Sequence, residues 1–215
     1  MRRLRLSIGL VFALGCGVFA PSVRAGAGQD VWDRAYDAAQ EVRFIPLQLI
    51  IGGAWDGQRR ISYPQGQFIE PFNPGIVWSG PRQWKQPRTG EMRTVYDRLR
   101  GASKQIFAVR HDQRALGRVA DAGEGIEACD EPAQFPLGRW RQGELRKFDY
   151  VCWVAGQTKF ERATIIIQEI DYSFRGIDHC LRVEWLLQNR DDESILEHRV
   201  YVFAPERGVI FEQEL

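Results

Sequence analysis

Between residues 179 and 188 the side chains alternate. His179, Leu181, Val183, Trp185 and Leu187 fall on one phase, and Cys180, Arg182, Glu184 and Gln188 on the other. A period of two marks a half-buried strand. Strand-like runs precede and follow it: "LRKFDYVCWVAG", "FERATIIIQEIDYSF", "LEHRVYVFA" and "GVIFEQEL". Turns are expected at Gln157-Thr158-Lys159, Arg175-Gly176-Ile177 and Arg190-Asp191-Asp192-Glu193. Connections this short join antiparallel neighbours, so the last third reads as a five-stranded meander.

Upstream the pattern is less regular. "DVWDRAYDAAQEV" (30–42) reads as a helix capped by Asp30, with Val31, Ala35, Ala38, Ala39 and Val42 on one face. "FIPLQLIIGG" reads as a buried strand, and Asp56-Gly57 as a tight turn. Prolines and glycines punctuate residues 63–90, which excludes a long helix or a central strand there. The aromatics of that stretch point instead to an ordered excursion pinned to a sheet. "RTVYDRLR" and "KQIFAVRHD" are strands about a turn at Gly101-Ala102-Ser103, "RALGRVADAG" allows a short helix, and 122–138 reads as loop. The expected fold is mainly β, a curved antiparallel sheet (half-barrel, open barrel or sandwich) with an N-terminal α-helix.

The first 25 residues read as a removed signal peptide: Arg2, Arg3 and Arg5, an apolar run from Leu6 to Ala20, and small residues at Val23 and Ala25. The flanks of Arg2-Arg3 do not fit twin-arginine export, and the order around Cys16 does not fit lipidation. Residues 26–215 are then one β-rich exported domain, placed in the periplasm or secreted, without a stable membrane span once the signal is removed. Removing four arginines and no acid takes the net charge from +1 to −3. That leaves no global field for nucleic acid.

Three cysteines remain in an oxidising compartment, so one disulfide is expected. Cys152 and Cys180 lie two strands apart, about 9.6 Å, beyond the ~7 Å that a disulfide spans between Cα atoms. Cys129, in a loop able to approach a strand end, is the expected partner of Cys152; Cys129–Cys180 and no bond are the alternatives.

Chemistry-bearing patterns are sparse. There is no nucleophile elbow, zinc spacing or phosphate loop, so no catalytic residue, metal or cofactor is assigned. His179 and Cys180 are adjacent on a strand and point apart, leaving a spare thiol beside a core-facing histidine. The pairs Glu169/Asp171 and Glu212/Glu214 read as an exposed polar face, and the acids 191–193 as a solvated turn rather than a calcium site. Trp55, Trp78 and Trp84 lie in or beside the Pro/Gly-rich excursion and are the candidate ligand-binding residues.

The closing "YVFAPERGVIFE" resembles the last hairpin of the half-barrel family related to periplasmic lipoprotein carriers. Tyr201, Ala204, Pro205, Gly208, Val209 and Ile210 follow that family's pattern of aromatic strand, Ala-Pro turn, glycine and aliphatic strand. The whole chain also resembles uncharacterised exported bacterial proteins carrying "GGAWDG" and "FPLGRW". The first resemblance implies a curved sheet; neither supplies catalytic residues, and the tryptophan-rich front half departs from the carrier pattern.

Three functions follow as expectations. The first is a non-catalytic domain binding a lipid or other apolar ligand, or an envelope protein, on its concave face. The second is a carbohydrate-active or cell-envelope hydrolase with Trp55, Trp78 and Trp84 as a sugar platform. The third is an extracellular structural partner using an exposed sheet edge.

Overall fold

The computed structural model describes residues 32–38 and 41–215; the signal segment lies outside them. In chain order the strands are β1 (Tyr36–Asp37), β2 (Val42–Ile45), β3 (Gly66–Ile69), β4 (Ile76–Lys85), β5 (Met92–Arg100), β6 (Ser103–Val109), β7 (Ala115–Asp121) and β8 (Ile126–Asp130). After the short β9 (Phe135–Pro136) and β10 (Gly138–Trp140) come β11 (Leu145–Val154), β12 (Gln157–Phe174), β13 (Ile177–Asn189), β14 (Ile195–Ala204) and β15 (Gly208–Glu214). The main sheet is antiparallel and curls into a half-barrel, ordered β15-β14-β13-β12-β11-β8-β7-β6-β5-β4-β3. A small sheet, β1-β2-β10, stands beside it.

The meander β11 to β15 stands in its expected order. Its first turn falls at Ala155-Gly156, just before the expected position, so Gln157 already belongs to β12. Leu181, Val183, Trp185 and Leu187 enter the main core, while Cys180 packs in a separate cluster with Val202, Ala204 and Ile210. His179 departs from the expected phase. At φ +63° beside a register shift, it turns out of the core to Asp171. An extra residue in one strand breaks the strict alternation locally.

The front half corrects five expectations, the first being that 122–138 is loop: strands β8 and β9 and the start of β10 lie in it. The helical turn at 32–35 gives way at Tyr36–Asp37 to a strand on β2, so the helix predicted to Val42 is cut short; residues 30, 31, 39 and 40 lie outside the described part. "FIPLQLIIGG" divides after Ile45: Pro46 caps a buried helix, Leu47–Ile51, ended by Gly52 in the left-handed region. A short apolar run cannot choose between strand and buried helix by periodicity; here the proline supplies the start and the glycine the stop. "RALGRVADAG" is strand β7, buried on both faces. Finally, β4 runs ten residues through the proline-rich excursion, paired on both sides. Pro81 falls inside the register shift between Ser79 and Arg82, where a ladder donor is not needed.

The concave face is filled by the chain itself. Residues 131–140 cross it, tied by hydrogen bonds from Gln134 N to Leu116 O of β7 (3.0 Å) and from Leu137 N to Arg114 O just before it (2.9 Å). This strap comes so close that a Cβ on Gly117 would meet the Pro132 carbonyl at 2.0 Å, so only glycine fits there. Phe135 sits between the two arms, with Trp78 and Phe107 on one side and Tyr201 and Phe203 on the other, at ring separations of 5.1–6.3 Å. The helix Leu47–Ile51 closes the end against the last hairpin. There Gly208, at φ +68°, lies backbone to backbone with Ile50, Ile51 and Gly52. The hairpin thus seats the helix as well as ending the sheet.

Candidate functional site

Inside the curl, charged side chains occupy phases that otherwise carry core residues. Arg98 follows Tyr96, Glu161 precedes Ala163, and Glu197 and Arg199 precede Tyr201 and Phe203. Apart from Glu161, which lines the cavity beside it, they belong to a closed ring across the two arms. Arg98 clasps Glu70 with two hydrogen bonds (2.9 and 3.2 Å), and Trp78 Nε1 donates to the same carboxylate at 2.8 Å. Arg98 also reaches Gln105 (3.3 Å), which donates to Asp121 (2.9 Å), and Asp121 in turn meets Arg118 (3.3 Å). Arg118 spans to Glu197 of β14 (3.3 Å), Glu197 to Arg199 (3.0 Å), Arg199 to Glu212 of β15, and Glu212 back to Arg98 (3.5 Å).

Burial makes this ring costly to leave incomplete. Arg98 and Glu70 are each 2% exposed, and Asp121 is 1% exposed. Burial works against the Arg118 cation, but Glu124, Glu197 and Asp121 overcome it and hold the guanidinium protonated above its ordinary range. Arg98 behaves likewise through Glu70 and Glu212. Burial pushes the Tyr201 hydroxyl up, and it stays neutral, accepting a hydrogen bond from Gln134 at 2.8 Å.

Two cavities flank the ring. The inner one, about 210 Å³, is lined by Arg118, Glu161, Glu197, Trp185 and both Cys129 and Cys152. Those cysteines are bonded to each other. The pairing is the expected one, but Cys129 lies on strand β8, directly opposite Cys152 on β11, rather than in a loop. Glu161 Oε2 is 3.5 Å from Cys152 Sγ, and Tyr150 hydrogen-bonds the same carboxyl. Burial raises the Glu161 pKa, against the lowering effects of Tyr150, Arg118 and Lys159. The outer groove, about 430 Å³, runs between the β3–β4 connection and β15, where Glu70, Phe72, Arg100, Arg199, Glu212 and Glu214 meet. Glu212, expected on an exposed face, turns inward at a register shift, while Glu214 stays at the rim.

The three candidate tryptophans lie in three environments. Trp78 is fully buried on Glu70 and Phe107. Trp84 packs with Val95, Ala108 and Val119 in a separate cluster, and Trp55 stacks on Phe44 with its Nε1 donated to Gln58 O. Each imidazole contacts a carboxylate: His111 with Glu91 (2.8 Å), His179 with Asp171, His198 with Glu184 (2.7 Å). Cys180 is buried, its thiol pushed up to about 11 by desolvation, and is therefore a weak nucleophile. Among the described residues no cluster of His, Cys, Asp and Glu is suited to hold a metal ion, and no helix is long and apolar enough to cross a membrane.

No family model, curated protein or solved structure matches this chain.

Proposed function

We propose that the chain is a non-catalytic β domain of an exported protein that binds a protein partner in the cell envelope along its open sheet edge. One observation carries this reading. The edge strand β3 ends at Ile69 (59% exposed) and is followed by Phe72 (57% exposed), which lines the outer groove. An open edge offers unpaired backbone groups, and apolar side chains on it favour pairing with another chain. Placement in the periplasm or outside the cell rests on the signal-like residues 1–25.

Protein recognition is favoured over apolar-ligand binding because Ala133, Phe135 and Leu137 occupy the space that an acyl chain would use. A sugar platform would need Trp55, Trp78 and Trp84 together on one surface, but Trp78 is fully buried, Trp55 packs against the same main core, and Trp84 packs against a separate cluster. Native mass spectrometry of the chain purified from its own host tests the reading. A stoichiometric protein adduct, lost in an Ile69→Lys/Phe72→Lys variant, is expected. A lipid adduct, no adduct, or a protein adduct that survives both lysines would overturn it.

A further inference from the structure

The Cys129–Cys152 bond occupies a particular joint. Strand β8 meets β7 through a single register pair, whereas it meets β11 through four. The front half of the sheet therefore joins β8 through that single β7–β8 pair, and the disulfide pins β8 to the meander beside this joint. Both cysteines line the inner cavity, whose rim includes the exposed Glu124 and Leu196. Glu161 stands 3.5 Å from Cys152 Sγ. An oxidised sulfur carries no proton, so only a proton on the carboxyl can make that contact a hydrogen bond.

We propose that Cys129–Cys152 is an exchangeable disulfide, reduced by a dithiol that enters the inner cavity, with Glu161 as the acid that protonates the departing Cys152 sulfur. The incoming thiolate gives its electron pair to Cys129 Sγ. The Cys129–Cys152 bond breaks, its pair leaves on Cys152, and the Glu161 proton neutralises that thiolate. The second thiol of the dithiol, as thiolate, attacks the mixed disulfide and releases Cys129, which takes a proton from solvent. Solvent re-protonates Glu161. In sum, the dithiol loses two electrons and two protons and becomes a disulfide, and the protein gains them as two thiols. Departure at Cys152 rather than Cys129 follows from which sulfur the acid faces, since a stabilised leaving thiolate leaves faster. The burial that raises the Glu161 pKa keeps the proton available at higher pH than an exposed carboxyl would. Cys180 packs in a different cluster and takes no part. Reduction removes the covalent tie that pins β8 to β11 beside its single pair with β7, a redox-controlled joint independent of the edge-binding reading above.

The test measures reduction of the folded, oxidised chain by dithiothreitol across pH 6 to 8.5, with acid quench and alkylation. Per thiolate, the wild-type rate is expected to exceed that of Glu161→Gln by about tenfold at the acid end and to converge with it as pH rises. Equal rates at every pH, or a wild-type rate independent of dithiothreitol concentration, would overturn the proposal. Should Glu161→Gln fail to fold, the wild type decides by site. With excess glutathione, a trapped adduct on Cys129 supports the proposal, and one on Cys152 contradicts it.

Discussion

The pair Arg98–Glu70 lies inside the curl and the pair Arg182–Glu169 joins neighbouring strands β12 and β13 in solvent; their closest approaches are 2.9 and 3.3 Å. The chemistry is the same, but the side chains of the first are 2% exposed and those of the second 42% and 41%. In water an ion pair gains little, because solvent screens it and ordering two long side chains costs entropy. Inside the curl neither charge can be left alone, so each ring member depends on the next. The inner pair therefore fixes how the arms close, and the outer one decorates a sheet that forms without it.

Breaking the inner face should be the most damaging change. Phe135→Ala removes the ring between the arms and is expected to cost about 4 kcal/mol in urea unfolding. Arg98→Met leaves Glu70 and Glu212 facing each other without their cation and should cost about 3 kcal/mol. Adding Glu70→Met should recover part of that loss, and a double variant worse than the sum would deny that the two act as a pair. At the other end of the scale, Arg182→Ala should change stability by no more than about 0.5 kcal/mol.

Titration sharpens the same contrast. Burial raises the Glu161 pKa. A folded state that holds this proton more tightly than the unfolded chain has its full stabilisation at low pH. It loses that contribution as pH rises through the raised pKa. Asp97 moves the other way: burial pushes it up, but hydrogen bonds from Arg82 and Lys104 overcome that and hold it below the usual range. Its contribution is present above the unfolded pKa and is lost as pH falls through the lowered one. Glu161→Gln should therefore flatten the loss of stability as pH rises above the ordinary carboxylate range, and Asp97→Asn the loss as pH falls below it. Both profiles are read by denaturant melts between pH 3 and 8.

Much of the fold was legible because β11 to β15 alternate over most of their length and turn tightly. What escaped were the places where local chemistry left several solutions open. Pro46 and Gly52 made a helix of an apolar run, Pro81 was absorbed at a register shift, and Asp171 and His179 broke the alternation with positive φ. Part of the candidate site had a signal that went unused. Glu161 shares its phase with Ala163, Ile165 and Ile167, and Glu197 and Arg199 share theirs with Tyr201 and Phe203. Charges on an inward phase announce a buried polar network. Glu70 and Glu212 had no such signal, because only closure of the curl brings a loop carboxylate and the last strand onto Arg98. The tryptophans misled for the opposite reason: position in a proline-rich stretch says nothing about burial, and Trp78 is core.

The central claim is that the strap at 131–140 is a built-in filling of the half-barrel and not a lid over a ligand chamber. Hydrogen exchange on the full chain tests it at two amides, Gln134 and Leu137, which donate to Leu116 and Arg114. Exchange as slow as in the central strands β12 to β14 is the expected result. Exchange within seconds while those strands stay protected would show a strap that opens, and would return the concave face to a ligand.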